Sequence, residues 1–509
     1  MFQHLMKKPK VHDAVTNLIG FISDKGLKIG AKLPPIRDLS KLLDVSTYTV
    51  YCALNELKKS GIVDNAGKKV IFLKSIPPKI RQNPAGNTGK SRISLYFRDS
   101  FDIRKINSIL LRHKINEMFM KAHKNIQIEE IQLNESLLSL EASVIKNLLL
   151  GKTEPTGWEI TQASLPFYHQ QKLIAPIRLK STLDYCRKLR PECVEKASID
   201  NELFMFPISR SFSFMIYNKD IFAKRGLDEK VFDNWKSFEN GLEKLRTPAN
   251  EAPFIINNGL ETVFMLMHWI IQQGNYSPLE TPPKIDWLGR EAEIAMKYFH
   301  RLAFEKNLLC MRELSMEDKI IGLLTNELPF TYVDGYVAGA LLSSKNTEKF
   351  GIAFVPAPEN RKKISLGNLR GSVVNIHAPS NETDPYLDYV REREEWIYLK
   401  DGSAQYRKFN KFPAPYSIFK NPSDDKFMSG IMPMPSGWLK KLAELEENIV
   451  WEPAGSGWEK ILLGEIIDAI FKKDGMSDFQ TMKNFFDRTY EIKYSDSIMQ
   501  LFQGDKVYA

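Results

Sequence analysis

The sequence predicts an α/β protein in two parts, a small N-terminal module of helices closed by a hairpin and a much larger region of alternating strands and helices. Three observations carry this. Between Leu33 and Val63 two helical apolar stripes are separated by a three-residue break, and paired β-rich runs follow. From Ile93 onward, strand-forming and helix-forming segments alternate. The charge, +9 over 509 residues, is confined to the start: residues 1–92 hold 17 Lys and Arg against 6 acids, which leaves 54 against 56 for the remainder.

In the first part, Ile36, Leu39 and Leu43 recur at helical spacing, Asp44-Val45-Ser46 breaks the period, and Val50, Leu54 and Leu57 restart it. Two short helices so closely joined must cross and bury their stripes together. Ser46 is expected to cap the second helix, whose opposite face then carries Thr47, Tyr48, Tyr51 and Asn55 outward. Upstream, residues 11–25 place Val11, Val15, Leu18, Ile19 and Ile22 on one side, as a first helix closing this core would. Downstream, Ile62–Leu73 reads as two β runs around a Gly-containing turn, with Lys68 and Lys69 suited to phosphate.

With these residues in view, segment 11–74 resembles a GntR-family winged helix-turn-helix. LPPIRDL, VSTYTVYCAL and SGIV stand where the family has roughly Leu-Pro-Ser-Glu-Arg-Glu-Leu, Val-Ser-Arg-x-Thr-Val-Arg-x-Ala-Leu and Gly-hydrophobic. The resemblance implies a DNA-binding domain over 1–74 that meets a double-stranded operator through Arg37, Ser46, Thr47, Tyr48, Thr49, Tyr51, Asn55, Lys68 and Lys69. Thr47 and Tyr51 replace the family's two recognition-helix arginines, so the bidentate arginine reading of guanine is lost. The surplus positive charge lies with this module, where a polyanion needs it. From Ser75 to Arg92, Pro, Gly, Asn and basic residues displace the apolar period, and 75–92 reads as a linker.

In the second part, 93–509, Ile93–Phe97 is expected as a strand, 104–122 as a helix, Ile126–Leu133 as a strand, 136–150 as a helix and Trp158–Ala163 as a strand. This alternation argues for parallel βαβ units, with ligands beyond the carboxyl ends of the strands, so Asp99, Ser100, Ser164 and Tyr168 become candidates. The segment Phe204–Leu245 resembles the extracellular solute-binding protein families, especially the sugar-binding branch. Pro207 stands in the strand that crosses between lobes, and Tyr217–Phe222, Gly226-Leu227 and Trp235–Phe238 follow the family's order. Gly322–Leu341, Phe350–Glu359, Leu366–Ser380 and Glu394–Phe409 extend the similarity.

The resemblance implies a two-lobed, periplasmic-binding-protein-like (type II) domain whose cleft closes on a small-molecule effector, a sugar or oligosaccharide. Aromatic rings stack on sugar faces while charged and amide groups take hydroxyls. Asp99, Ser164, Tyr168, Arg210, Trp269, Tyr332, Asp334, Tyr336 and Arg370 are the candidate ligand residues, whereas Trp235, Trp396 and Trp458 lie in helical periods that suit a core. Helical periods from Trp458 to Ile492 predict two helices packed back on the lobes.

Particular residues speak against two rival architectures. Asp384-Pro385-Tyr386 is similar to a pyridoxal-phosphate aminotransferase motif, but no Schiff-base lysine followed by a carboxylate-binding arginine comes after it. A LacI-like type I sensor is usually smaller than the region 93–509 that follows the linker. No Gly-x-Ser-x-Gly elbow, His-Glu-x-x-His or Cys/His cluster is present, so neither enzyme chemistry, cofactor nor metal is expected. Four cysteines without a Cys-x-x-Cys pair fit a reducing cytoplasm. The N-terminus lacks a signal-length apolar run, and neither export nor membrane spanning is expected. Paired half-sites would lengthen the operator read, so a homodimer is expected.

Overall fold

The helix pair near the N-terminus forms where its period predicts. The computed structural model describes residues 18, 21, 30–43, 45–59, 63–66, 70–73, 91–97, 106–132, 144–145, 148, 151–247, 252–257, 259–274, 285–312, 314, 316–333, 341, 347–399, 437–453, 457–472 and 478–502. The chain divides into two compact units, 1–135 and 136–509.

In the first unit α1 (Ile36–Leu42) and α2 (Thr47–Lys59) are joined by a turn that Ser40 and Ser46 hold. The Ser40 hydroxyl donates to the Val45 carbonyl at 2.6 Å. Ser46 Oγ accepts the Thr49 amide at 3.0 Å, which is the expected N-cap of α2. The stripes meet as predicted: Leu39, Val50, Leu54 and Leu57 are buried with Leu18, Leu33, Ala53 and Val63. Hairpin strands β1 (Val63–Ala66) and β2 (Val70–Leu73) pair antiparallel, Val63 opposite Leu73. Of segment 11–25 only Leu18 and Phe21 are among the described residues. Further along, β3 (Ser91–Phe97) and β4 (Ile126–Gln132) run parallel with α3 (Ile106–Ala122) between them, one βαβ unit of the predicted kind. β3 takes in Ser91 and Arg92, which the linker reading had included, and residues 74–90 lie outside the described residues.

The second unit begins with β5 (Gly157–Thr161), α4 (Leu165–Gln170), β6 (Ile174–Ala175), α5 (Lys180–Cys186), α6 (Pro191–Lys196), β7 (Ser198–Ile199) and β8 (Glu202–Leu203). Next come β9 (Met205–Phe212), β10 (Phe214–Asn218), α7 (Lys219–Lys224), α8 (Trp235–Leu245), β11 (Phe254–Asn257), α9 (Leu260–Gln273) and α10 (Arg290–His300). β12 (Leu309–Arg312), α11 (Met316–Leu324), β13 (Phe330–Val333), β14 (Phe350–Ala353), β15 (Ser365–Asn375) and α12 (Ser380–Leu399) follow. The last described part holds α13 (Trp438–Glu447), β16 (Ile449–Trp451), α14 (Gly457–Lys472) and α15 (Phe479–Phe502).

β15 is the hub of one sheet, pairing antiparallel with β9, β5 and β6 and parallel with β16. A second sheet has β10 between β13 and β14, antiparallel to both, and β11 pairs parallel with β12. The sheets are therefore mixed, where alternation alone predicted parallel units. The reason is connectivity: β9 leaves the first sheet and β15 returns to it, so the returning strand runs against its outgoing neighbour. Only Ser213 separates β9 from β10, and its amide donates to the Leu366 carbonyl at 3.0 Å.

Local chemistry explains the motif residues around this crossing. Asn218 caps α7, its Oδ1 accepting the amides of Asp220 at 3.0 Å and Ile221 at 3.2 Å. Asn234 caps α8 through the Ser237 amide at 2.9 Å, and Gly226 turns the chain with φ +63°. Behind them Phe330 packs within 5.3–6.3 Å of Phe222, Phe232, Phe238 and Phe254. Helices α9, α10, α14 and α15 share the same core through Trp269, Phe299, Ile466, Ile470, Met482 and Phe486. The two C-terminal helices thus pack where the sequence expected them. His268 of α9 is wholly buried, its Nε2 2.9 Å from the Ile364 carbonyl.

At the register shift between Arg370 and Gly371, β9 and β15 approach so closely that a Cβ on Gly371 would lie 2.4 Å from Met205 Cγ and 2.5 Å from the Phe206 carbonyl oxygen. Since the second neighbour is backbone, Gly371→Ala must displace the crossing itself. The variant should unfold about 1–3 kcal/mol more easily in denaturant titration, and an unchanged midpoint would contradict the close approach. Ser46→Ala should cost about 1 kcal/mol through loss of the cap, read as earlier melting of the first unit.

Candidate functional site

Two polar constellations flank the β9/β15 crossing. On the side of β5 and β16, Gln162 clasps one residue of β15 twice: its backbone amide donates to the Leu369 carbonyl at 2.8 Å and its Oε1 accepts the Leu369 amide at 2.7 Å. Its Nε2 donates to the Glu452 carbonyl at 3.2 Å. The Glu452 carboxylate in turn receives Asn368 Nδ2 and pairs with Lys460 of α14, with both charged residues buried. On the β9 side, Arg210 pairs with Glu192 at 3.1 Å and with Glu446 of α13, and Arg190 reaches Glu446 at 2.9 Å. Segments on both sides of the crossing are therefore tied by charges, of which Arg210, Glu452 and Lys460 are held away from water, where unpaired groups would be costly.

A third cluster lies where β5, β15 and α12 meet. Glu159 accepts from Arg370 at 3.1 Å and Arg393 at 3.1 Å, and Arg393 donates from Nε to Glu394 at 2.7 Å. Glu394 is buried and its second oxygen has no hydrogen-bond partner among the described residues. Burial pushes its carboxyl up to about 7, an effect that the Arg393 guanidinium only partly offsets. Elsewhere, Lys319 is buried beneath β13, donating to the Tyr332 carbonyl at 2.9 Å and pairing with Glu261. Burial also pushes the Cys186 and Cys193 thiols up to about 12.

Several expected ligand contacts prove to be core. Trp269 is fully buried against Trp235, Tyr298 and Phe299. Tyr168 is 1% exposed with its ring edge-on to Trp158 and Phe167, and Tyr332 is 3% exposed on β13. Rings sealed by neighbouring side chains offer no face to a sugar, and the stacking role is withdrawn for all three. Ser164 is buried at the start of α4. Arg210 is 3% exposed and committed to carboxylates, which makes it a holding group of the crossing rather than an open ligand contact.

Arg370 is the candidate that stays open, with its side chain 59% exposed beside Glu159. In the ladder Arg370 stands opposite Ser209 and Leu369 opposite Arg210, so the two arginine side chains point to opposite faces of the sheet. Asp99, Ser100, Asp334 and Tyr336 lie outside the described residues. Trp235 is core, as its period predicted. Asp384, Pro385 and Tyr386 belong to helix α12, where Tyr386 is packed at 2% exposure. The Gln162, Asn368, Glu452 and Lys460 constellation was missed by sequence reasoning, and no local signal announces it, because its members come from three stretches far apart in the sequence, around 162, 368 and 452–460.

In the first unit, Arg37, Ser46, Thr47 and Tyr48 are exposed, and so is Tyr51. Thr49 is a correction: it is 8% exposed and its hydroxyl meets Ser46 Oγ at 2.7 Å, so it serves the helix start rather than the outer face. The side chain of Asn55 and all of Lys68 and Lys69 lie outside the described residues. Among the described residues no group of three His, Cys, Asp or Glu could hold a metal ion, and no helix is long and apolar enough to cross a membrane. A groove of about 750 Å³ in the second unit is lined by α8, α10 and the start of α15, not by the crossing strands.

No family model and no curated protein matches the sequence. Solved structures do match in fold. T. maritima MalE3 with bound maltose aligns at TM-score 0.60 and 14% identity, over 79% of this chain and 99% of that one. A solute-binding protein of an ABC transporter from Agrobacterium vitis with bound D-mannitol gives TM-score 0.59 at 13% identity, over 80% and 99%. An ABC substrate-binding protein from Listeria monocytogenes in complex with cycloalternan gives 0.58 at 14%, over 79% and 99%. The chain thus has a two-lobed, periplasmic-binding-protein-like α/β fold with mixed sheets, similar to sugar-type solute-binding proteins over about four-fifths of its length.

Glu394 and His268 give opposite pH dependences. Glu394, raised to about 7, keeps in the folded chain a proton that the unfolded chain releases near 4.5, so on its account stability falls as pH rises through that window. Burial lowers His268 from 6.5 to about 4, so the unfolded chain takes up the proton first, and stability falls as pH drops through that window. In urea titrations across the shared range, Glu394→Gln should leave stability rising with pH and His268→Gln should leave it falling. Equal slopes in the two variants would refute the assignment.

Proposed function

We propose that this chain is a cytoplasmic, GntR-type transcription regulator. Residues 1–74 act as a winged helix-turn-helix that binds an operator, and the two-lobed region takes a carbohydrate effector in its interlobe cleft. One observation carries the reading: a sugar-type solute-binding fold over 79% of the chain is joined in one polypeptide to a segment of 17 bases against 6 acids. Supporting it, α1 and α2 are joined by a capped turn and followed by a hairpin, in the order helix, helix, wing. The exposed face of α2 is free of acidic residues in its first turn. The proteins similar in fold were solved with maltose, D-mannitol and cycloalternan, and this favours a polyol or oligosaccharide.

On this reading Arg370 contacts the ligand together with Asp334 and Tyr336. Closure of the lobes about β9 and β15 would alter the spacing of two DNA-reading heads in a homodimer. A coupling of about 1–3 kcal/mol suffices for a regulatory change in DNA affinity.

Fluorescence anisotropy with duplex DNA at varied salt tests the first half. Arg37→Ala and Lys68→Ala should each weaken binding and reduce the magnitude of the log–log salt slope by about 1; an unchanged slope removes the phosphate role. A thermal-shift screen against a carbohydrate panel tests the second half, because a ligand selective for the folded state raises the melting temperature. Asp334→Ala and Arg370→Ala should abolish that shift with DNA binding intact, and a retained shift in both would place the ligand elsewhere.

A further inference from the structure

The exposed face of α2 carries an unusual set of groups for a helix in contact with a polyanion. Among the described residues six large hydrophobic side chains are exposed, and three belong to this helix pair: Leu42 at 54%, Tyr48 at 73% and Tyr51 at 52%. Tyr48 and Tyr51 lie three residues apart on one face, and Thr47 joins them four residues before Tyr51. No lysine or arginine occurs in α2 before Lys58, which lies 3.8 Å from Asp64 at the hairpin end of the helix. The leading half of α2 therefore offers rings, a methyl group and hydroxyls, but no cation.

These groups fit one kind of base pair. Guanine is read in the major groove by a cation donating to O6 and N7, which this face lacks, whereas the thymine 5-methyl group is read by apolar contact. The charge of the segment, 17 bases against 6 acids, supplies the attraction to the phosphates that lays the face against the duplex. We propose that α2 recognises thymine methyl groups through Tyr48, Tyr51 and Thr47, so that the operator half-site is A·T-rich beneath this helix. This rests on the DNA-binding reading above and narrows its substrate.

The test separates the two. Duplexes selected by the full-length chain from a random pool are sequenced, and thymines in the enriched half-site are then replaced singly by deoxyuridine, which lacks only the methyl. Enrichment of A·T pairs, with affinity about fourfold weaker per methyl removed, is the expected result, the loss that goes with one methyl-sized apolar group. Tyr48→Ala and Tyr51→Ala should each abolish the thymine preference at one position. Tyr51→Phe, which keeps the ring, should retain it. Both sites are exposed, so folding is preserved, as an unchanged melting temperature would show. Tight binding to a guanine-dominated half-site, or indifference to deoxyuridine, overturns the thymine assignment and leaves DNA binding standing. Failure to enrich or bind any duplex overturns both.

Discussion

The ladder between Met205–Phe212 and Ser365–Asn375 is the constraint on which the second unit depends. It is the place where the chain passes from one sheet to the other and returns, and its backbone hydrogen bonds must be satisfied whatever the lobes do. The flanking side chains reflect that demand. Glu452, Lys460 and Arg210 are charges taken out of water, which costs several kcal/mol per ion before pairing returns it. Such pairs add little net stability over well-packed apolar residues. Their effect is to penalise any arrangement of the crossing that separates the partners, which makes them a means of fixing geometry.

Much of this architecture was legible from residue order. The stripes Leu39 and Val50, Leu54, Leu57, the cap at Ser46, the βαβ unit from Ser91 to Gln132 and the C-terminal helix pair follow from periodicity and local hydrogen-bonding chemistry, which act over a few residues. The strand direction within the β15 sheet was not legible, because it is set by a connection that leaves and returns over about 150 residues, far beyond any local pattern. The similarity of Phe204–Leu245 to sugar-type solute-binding proteins, by contrast, anticipated the fold that the solved structures share.

The site was read less well, for a physical reason. An aromatic residue on a strand or helix has the same sequence signature whether its ring faces a ligand or a core, and Tyr168, Trp269 and Tyr332 all proved to face the core. Arg210 likewise carries the charge a ligand contact needs, yet Glu192 and Glu446, gathered from α6 and α13, have already engaged it. Thr49 illustrates the same limit at short range. Its neighbour Tyr48 is exposed, while Thr49 turns inward because the cap at Ser46 needs both its amide and its hydroxyl.

The single residue Ser213 between β9 and β10 has a mechanical meaning. A long flexible connection would let one sheet rotate while the other stayed still, absorbing the motion in its own torsions. One residue, with its amide already bonded to Leu366, has almost no torsional reserve. Displacement of the second sheet must therefore pull directly on the backbone of the first, like a rod rather than a rope.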